Sequence, residues 1–448
     1  MKSDRLLKRL IWFYLILLIF EGALRKWALP GLATPLLLVR DPIVILGLFL
    51  GLQKGKIQLN GYLALVTIVA VITPVLAMTA GHGNLMVTAF GWRANFLHLP
   101  FIFLIGRTFD QQDVLKMGRF LMWVSLPMAL LMLDQFYSPA GSWINIGVGG
   151  EGDSGYEGAM GYKRPSATFS FIMGPVMFFP FVAAFVFHQM LQNKIQGKWL
   201  TILSGLAVLM AMPTSISRSL VIGVVIVGIG TVFALATSGR SVQRLISMGL
   251  MSAVMLIALS LIPGLDKPRE AFLSRWEAAT TQGGGIEKAI VMRMANSMVS
   301  SLTPREDQVL TGAGLGMGTN AGARLATGGK VAYLIAEDEW SRITGELGLP
   351  LGLLYLGVRV ILTISLFFGA LKVAKSGQPL ALILWFSAGI HLSQGQWGQP
   401  TALGFSVIQA GLVLALIESH RLEKRAQKRA KMMALQAVAV PVLALPQS

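Results

Sequence analysis

Long apolar runs separated by short polar links fill most of this chain. They fall near 10–28, 35–52, 61–80, 85–106, 117–137, 168–191, 199–213, 218–237, 243–263, 345–371, 378–397 and 400–418. Most approach the roughly 20 residues that a helix needs to cross about 30 Å of hydrocarbon. The pattern predicts an all-α polytopic membrane protein with about twelve transmembrane helices, in a range of ten to thirteen. The seventh run is short, and the third and fourth are candidates for partly re-entrant segments. Two polar stretches interrupt the alternation, a glycine-rich one from Ser138 to Ala167 and a longer one from Gly264 to about Arg342. The chain therefore divides into spans one to nine (1–263), a long, partly helical outer loop (264–344), spans ten to twelve (345–418) and a basic tail (419–448).

Composition supports this reading. The chain is 54% hydrophobic with a mean hydropathy of +0.65, above the roughly 45–50% apolar usage of soluble domains. Basic residues collect in alternate connections: Lys2 to Arg9, Lys54 and Lys56, Arg107 to Arg119, Lys194 and Lys198, Arg240 and Arg244, Lys372 and Lys375, and Arg421 to Lys431. By the positive-inside rule that side is cytoplasmic, and both termini lie there. These positions hold 21 of the 38 Lys and Arg residues, so the formal charge of +17 reports topology rather than a nucleic-acid partner. The basic start followed by an apolar run has no small-residue cleavage site and reads as a retained first span. There is no cysteine, and the five histidines have no metal-ligand spacing, so neither a metal nor a cofactor is expected.

The charges inside the runs share a depth. Glu21 with Arg25, Arg40 with Asp41, Arg93 and Asp134 all fall toward the outer ends of their spans. Ionisable groups in spans are costly and usually mark function; this shared depth suggests a polar crevice in the outer leaflet. Glu21 and Arg25, four residues apart, also suit a plain salt bridge. Arg218 opens the eighth run after Pro213 ends the seventh, and Ser215 or Ser217 is placed to cap its helix. A helix N-terminus with a guanidinium suits a diphosphate. In "TGAGLGMGTNAG" the alternate glycines include Gly314 and Gly316, which allow a tight turn or close approach to a ligand. In "EDEWSRITGELG", Glu339, Arg342 and Glu346 form one helical ladder of opposite charges, while Glu337 and Asp338 sit at the helix start as caps or as a base.

Read in order, the pieces are R-P-S-x-T-F (Arg164–Phe169), S-R-S (Ser217–Ser219), a long outer loop with an Arg293-bearing helix, the glycine turn and "ELGLPLG". That order resembles the bacterial O-antigen ligase and O-antigen polymerase superfamily. The N-terminal "EGALRKWALP" and "LLLVRDP" are similar to polymerase-like members found with exopolysaccharide genes. The resemblance implies a metal-independent glycosyltransferase in the bacterial cytoplasmic membrane, with its site on the outer face. Its donor would be an undecaprenyl-diphosphate-linked glycan and its acceptor a glycan or lipid, with flippase and chain-length regulator proteins as partners. Carried over, Arg218 and Arg293 hold the diphosphate. Glu337 occupies the place of a ligase histidine, with Asp338 in place of the asparagine that follows it. That departure suits polymerase-like relatives. Arg164, Arg93, Arg40, Asp338, Glu339, Gly314 and Gly316 complete the expected substrate-binding set. The competing expectation is a transporter or exporter of lipid-linked or polysaccharide substrates. The long outer loop and the outer depth of the charges favour catalysis.

Overall fold

The structure is a computed structural model. It describes residues 2–150, 157–192, 197–239, 264–283, 298–302, 310–328, 335–336 and 338–439, with scattered positions between 243 and 262. In chain order the helices are α1 (Lys2–Ala23), α2 (Asp41–Gln53), α3 (Gly61–Thr79), α4 (Leu85–Trp92), α5 (Leu99–Thr108), α6 (Gln111–Tyr137), α7 (Met173–Met190), α8 (Lys198–Thr214), α9 (Arg218–Thr237), α10 (Asp266–Gly283), α11 (Asn320–Thr327), α12 (Glu339–Lys375), α13 (Leu380–Gln394) and α14 (Pro400–Ala439). A small antiparallel hairpin, β1 (Glu157–Ala159) with β2 (Tyr162–Lys163), breaks the otherwise helical pattern.

Several starts follow from side-chain caps read directly off the sequence. The Asn60 carboxamide accepts from Leu63 N at 3.0 Å, Asn84 does the same for α4, and Asp110 and Asp113 form a reciprocal capping box for α6. Among the described residues, seven helical segments are long and apolar enough to cross a membrane: Pro30–Gln53, Gly61–Thr79, Gln111–Tyr137, Met173–Met190, Arg218–Thr237, Glu339–Lys375 and Pro400–Met433. The expected twelve is not confirmed among these residues. α1 carries charges at both ends, and α8 and α13 are apolar but short. The fourth expected span is split into α4 and α5 by a π-helical turn, Arg93–Leu97. The ninth falls largely outside the described residues.

Two helices form the centre. α7 and α14 bury 83% of their apolar windows, against 33–44% in the other five segments. α14 packs on α5, α13, α12, α7, α6 and α1. The outer helices turn apolar side chains away from the protein. In α3, Ile68, Val71, Ile72 and Val75 are exposed, a face suited to lipid.

α12 is two arms. Gly348 has φ 75° and ψ 165°, outside helical geometry. Glu339 and Arg359 would lie about 30 Å apart on a straight helix, yet they form an ion pair at 2.6 Å. The chain therefore reverses at Gly348. The first arm, 339–347, runs back along the start of the second, 349–375, and a Cβ at Gly352 would stand 2.9 Å from Thr344 Cα. The tenth span, expected from residue 345, thus begins only after this reversal. A Cβ on Gly348 would come within 2.2 Å of Leu310 O, on top of the cost of a left-handed φ. We predict that Gly348→Ala destabilises the detergent-solubilised protein by about 1–3 kcal/mol or more; thermal unfolding at the wild-type midpoint would count against the reversal.

Candidate functional site

Three arginines converge beside the hairpin. Arg218 is the first residue of α9, as expected, and Arg164 follows β2. Arg275, on α10, donates from Nη1 to the carbonyls of Gly158 (2.9 Å) and Glu157 (3.4 Å) in β1. Around them Ile216, Phe136 and Ala271 form a small apolar core against Ala159 and Tyr162, with the Phe136 and Tyr162 rings stacked at 4.3 Å. Burial, then the neighbouring Arg275 and Arg218 charges, pull the Arg164 guanidinium down to about 10. Arg275 is lowered by burial and by Arg218. Both remain cationic at neutral pH, and no carboxylate pairs with any of the three among the described residues. Arg164 Nε is buried without a hydrogen-bond acceptor.

The corner between α8 and α9 adds to this. Ile216 is buried with φ +45°, a strained conformation for a β-branched residue. Neither expected serine caps α9. Ser217 stands at the N-cap without a side-chain bond, and Ser215 Oγ donates to Met212 O while accepting from Ser217 N. The first N–H groups of α9 thus open beside three guanidiniums without a side-chain cap. Cations and free N–H donors in one place suit a phosphate or diphosphate.

A second group of charges is matched and buried. Arg342 grips Glu339 with two bonds of 3.0 Å, reaches Glu346 at 3.0 Å, and donates to Asn95 Oδ1 at 2.9 Å. Arg359 donates to Glu339 at 2.6 Å, to Leu392 O at 3.0 Å and to Gly395 O at 2.9 Å, and lies 4.1 Å over the Trp397 ring. Glu346 also accepts from Gly318 N at 2.9 Å. The glycine turn closes on the same arm, with Ala313 N and Gly314 N donating to the carbonyls of Gly345 and Glu346, groups left unpaired at a helix end. Gly314 and Gly316 have φ of 104° and 97°, and a Cβ on Gly316 would meet Val87 O at 2.1 Å. These two glycines serve close backbone packing.

A third group joins it through the π turn. Arg93 pairs with Asp41 and donates to Leu37 O at 2.9 Å; His98 bridges Asp41 (3.0 Å) and Tyr14 (2.9 Å). Glu21 accepts from Arg25 at 3.2 Å, the expected salt bridge, and from Arg40 at 3.1 Å. The two groups are linked to the arginine cluster by the strap 166–170. Lys26 Nζ donates to Ser166 Oγ (3.1 Å) and Ala167 O (2.5 Å), Gln135 pairs with the Ala167 backbone, and Arg25 donates to Ser170 Oγ at 3.1 Å.

The expected residues therefore part company. Arg218 and Arg164 come together. Arg40, Arg93 and Glu339 are held in buried ion pairs, Asp338 caps the first arm by accepting from Ser341 N at 2.9 Å, and Asp134 is an exposed residue apart from these groups. Arg293 and Glu337 lie outside the described residues. Arg275, Arg359, Asn95 and Lys26 were not among the expected residues. A lone arginine in the apolar "GVRVIL" was the available signal for Arg359.

No family model matches the chain, and no curated protein matches it. The matched network and the open cluster make opposite predictions. Glu339→Gln leaves Arg359 without a carboxylate and Arg359→Leu leaves the buried network one cation short, and each should cost about 3–5 kcal/mol. Arg218→Ala should stay within about 0.5 kcal/mol of wild type. Thermal unfolding of the full chain in detergent checks both, and equal losses in all three would erase the distinction.

Proposed function

We propose that the chain is a membrane glycosyltransferase that polymerises, or ligates, undecaprenyl-diphosphate-linked oligosaccharide at the outer face of the bacterial cytoplasmic membrane. The observation that carries this reading is the cluster of Arg164, Arg218 and Arg275 at the uncapped start of α9, unpaired with any carboxylate among the described residues. Displacing a lipid diphosphate from a sugar develops negative charge on the leaving group, and fixed cations aimed there lower the barrier. Guanidinium forks bind phosphate oxygens in pairs, so three of them suit a diphosphate without a metal. The order of motifs resembling O-antigen polymerases and ligases supports the same reading.

In this mechanism Arg218 and Arg164 hold the diphosphate, with the N–H groups of α9 beside them. Arg275 keeps its bonds to β1 and lends charge while fixing the hairpin. Arg293 adds a fourth cation from the outer loop. Glu337 takes the proton of the attacking hydroxyl as the sugar's anomeric carbon leaves the diphosphate. Asp338, next to it, anchors the arm that carries the buried network.

Complementation of a deletion strain tests this. Arg164→Ala, Arg218→Ala and Glu337→Gln should each reduce glycan extension by about 10²–10³-fold at wild-type protein levels. Arg275→Ala should reduce it less, because part of that residue's role is to tie α10 to β1. Accumulation of single lipid-linked units would mark a polymerase, and loss only of final transfer a ligase. Full-length glycan from all four variants would refute the assignment.

A further inference from the structure

A second, chemically different recess is lined by none of the three arginines. Between the glycine turn, the start of the first arm and the link from α13 to α14 runs a narrow crevice. It is lined by Gly318, Thr319, Glu339, Arg342, Gln396 and Gln399, with Ala336 at its edge. Its free volume is about 10 Å³, room for a water or one hydroxyl group but not for a ring.

Charge is the first guide to its ligand. Glu339 and Glu346 are balanced by Arg342 and Arg359, and both Glu339 oxygens are already engaged by guanidinium donors. The crevice therefore presents no uncompensated ion, in contrast to the three arginines. Hydrogen bonding is the second guide. Gln399 Nε2 donates to Gln396 Oε1 at 2.7 Å, but Gln399 Oε1 is buried and accepts nothing. A buried acceptor without a partner is satisfied only by a donor. A phosphate or carboxylate would bring more acceptors beside this oxygen and the Glu339 carboxylate. A hydroxyl brings the donor the site lacks.

Depth is the third guide. α13 has 15 residues, about 22 Å of helix, short of the roughly 30 Å of a bilayer core. Arg359 donates to Leu392 O and Gly395 O at the end of α13, so the second arm rises past this link by the ten residues back to Gly348. The link 395–399 thus sits low against a taller wall.

We propose that this crevice binds a hydroxyl group of an uncharged sugar and forms the acceptor side of the site, with Gln399 Oε1 as the accepting atom. Its role as acceptor subsite rests on the transferase reading above; its ligand class rests on the crevice alone. Saturation-transfer NMR on the full chain in phosphatidylethanolamine–phosphatidylglycerol nanodiscs tests it, with methyl glycosides of glucose, galactose, mannose and N-acetylglucosamine as probes. Wild type should transfer signal to at least one glycoside. Gln399→Leu should weaken that signal about tenfold, as should Ala336→Leu, which adds bulk to the crevice lining while leaving every ion-pair residue in place. Arg218→Ala and added inorganic pyrophosphate should leave it unchanged. Thermal unfolding checks that each variant folds, and if Gln399→Leu does not, Ala336→Leu decides. No transfer to any glycoside, or transfer unaffected by the folded variants, overturns the proposal. The two readings fail separately. Glycoside binding with full glycan assembly in the arginine variants removes the transferase and keeps the sugar site. Impaired assembly in those variants without glycoside binding removes the sugar site alone.

Discussion

Glu339 accepts three hydrogen bonds from two buried guanidiniums, and much of the fold around α12 follows from that. An unpaired carboxylate in apolar surroundings is costly, so Glu339 and Arg359 must meet even though twenty residues separate them. They can meet only if the chain reverses, and the reversal requires the left-handed backbone of Gly348. Once paired, Arg359 has donors left over. These take the last carbonyls around the end of α13, which sets the link into α14. Arg342 likewise spends its remaining donors on Glu346 and Asn95. Asn95 belongs to the π turn, and the same turn carries Arg93 to Asp41. One buried charge thus commits the positions of α12, α13, α14 and the π turn in succession.

The matched network and the unmatched cluster differ in kind. Every guanidinium in the network ends on a carboxylate or on backbone carbonyls, and removing one partner would strand the others. The three arginines by the hairpin repel one another, and burial holds Arg164 down to about 10. A fold gains nothing from such an arrangement by itself; an incoming anion would remove the repulsion and satisfy Arg164 Nε. Ile216 points the same way, because strained residues tend to persist where the surroundings over-determine them and function uses them.

Local relations were legible in the sequence. Glu21 with Arg25, the ladder Glu339–Arg342–Glu346, the cap at Asp338 and Arg218 at the first turn of α9 all involve residues within one or two helical turns. Helical spacing alone brings such residues together. What escaped depended on chain reversals. Arg359 meets Glu339 only across Gly348; Gly348 and Pro350 mark a break in the sequence, but not which residues the reversal brings together. Asn95 reaches Arg342 through a π turn, whose extra residue shifts the facing of every side chain after it. Arg40 and Arg93 were read without Glu21 and Asp41 as their partners, and Glu339 without its second partner, Arg359. Hydropathy does not separate short or interrupted helices from full-length ones, and α8, α13 and the α4–α5 pair are of that kind.

The strap at 166–170 joins the matched network to the arginine cluster. Lys26 and Gln135 hold the backbone at Ala167, Thr168 Oγ1 donates to Ile19 O at 2.6 Å, and Arg25 divides its bonds between Glu21 and Ser170. Arg164 lies two residues before this strap, so its position is inherited from the turn that follows α1 rather than from its own hairpin alone. Arg275 fixes the hairpin from the other side through Gly158 O. The cluster is thus preorganised by neighbours that never touch it as charges, which is the condition under which fixed cations stabilise developing negative charge without reorganising. Mutual repulsion among the three would otherwise drive them apart. That they stay together depends on backbone held by Lys26, Gln135, Arg25 and Arg275.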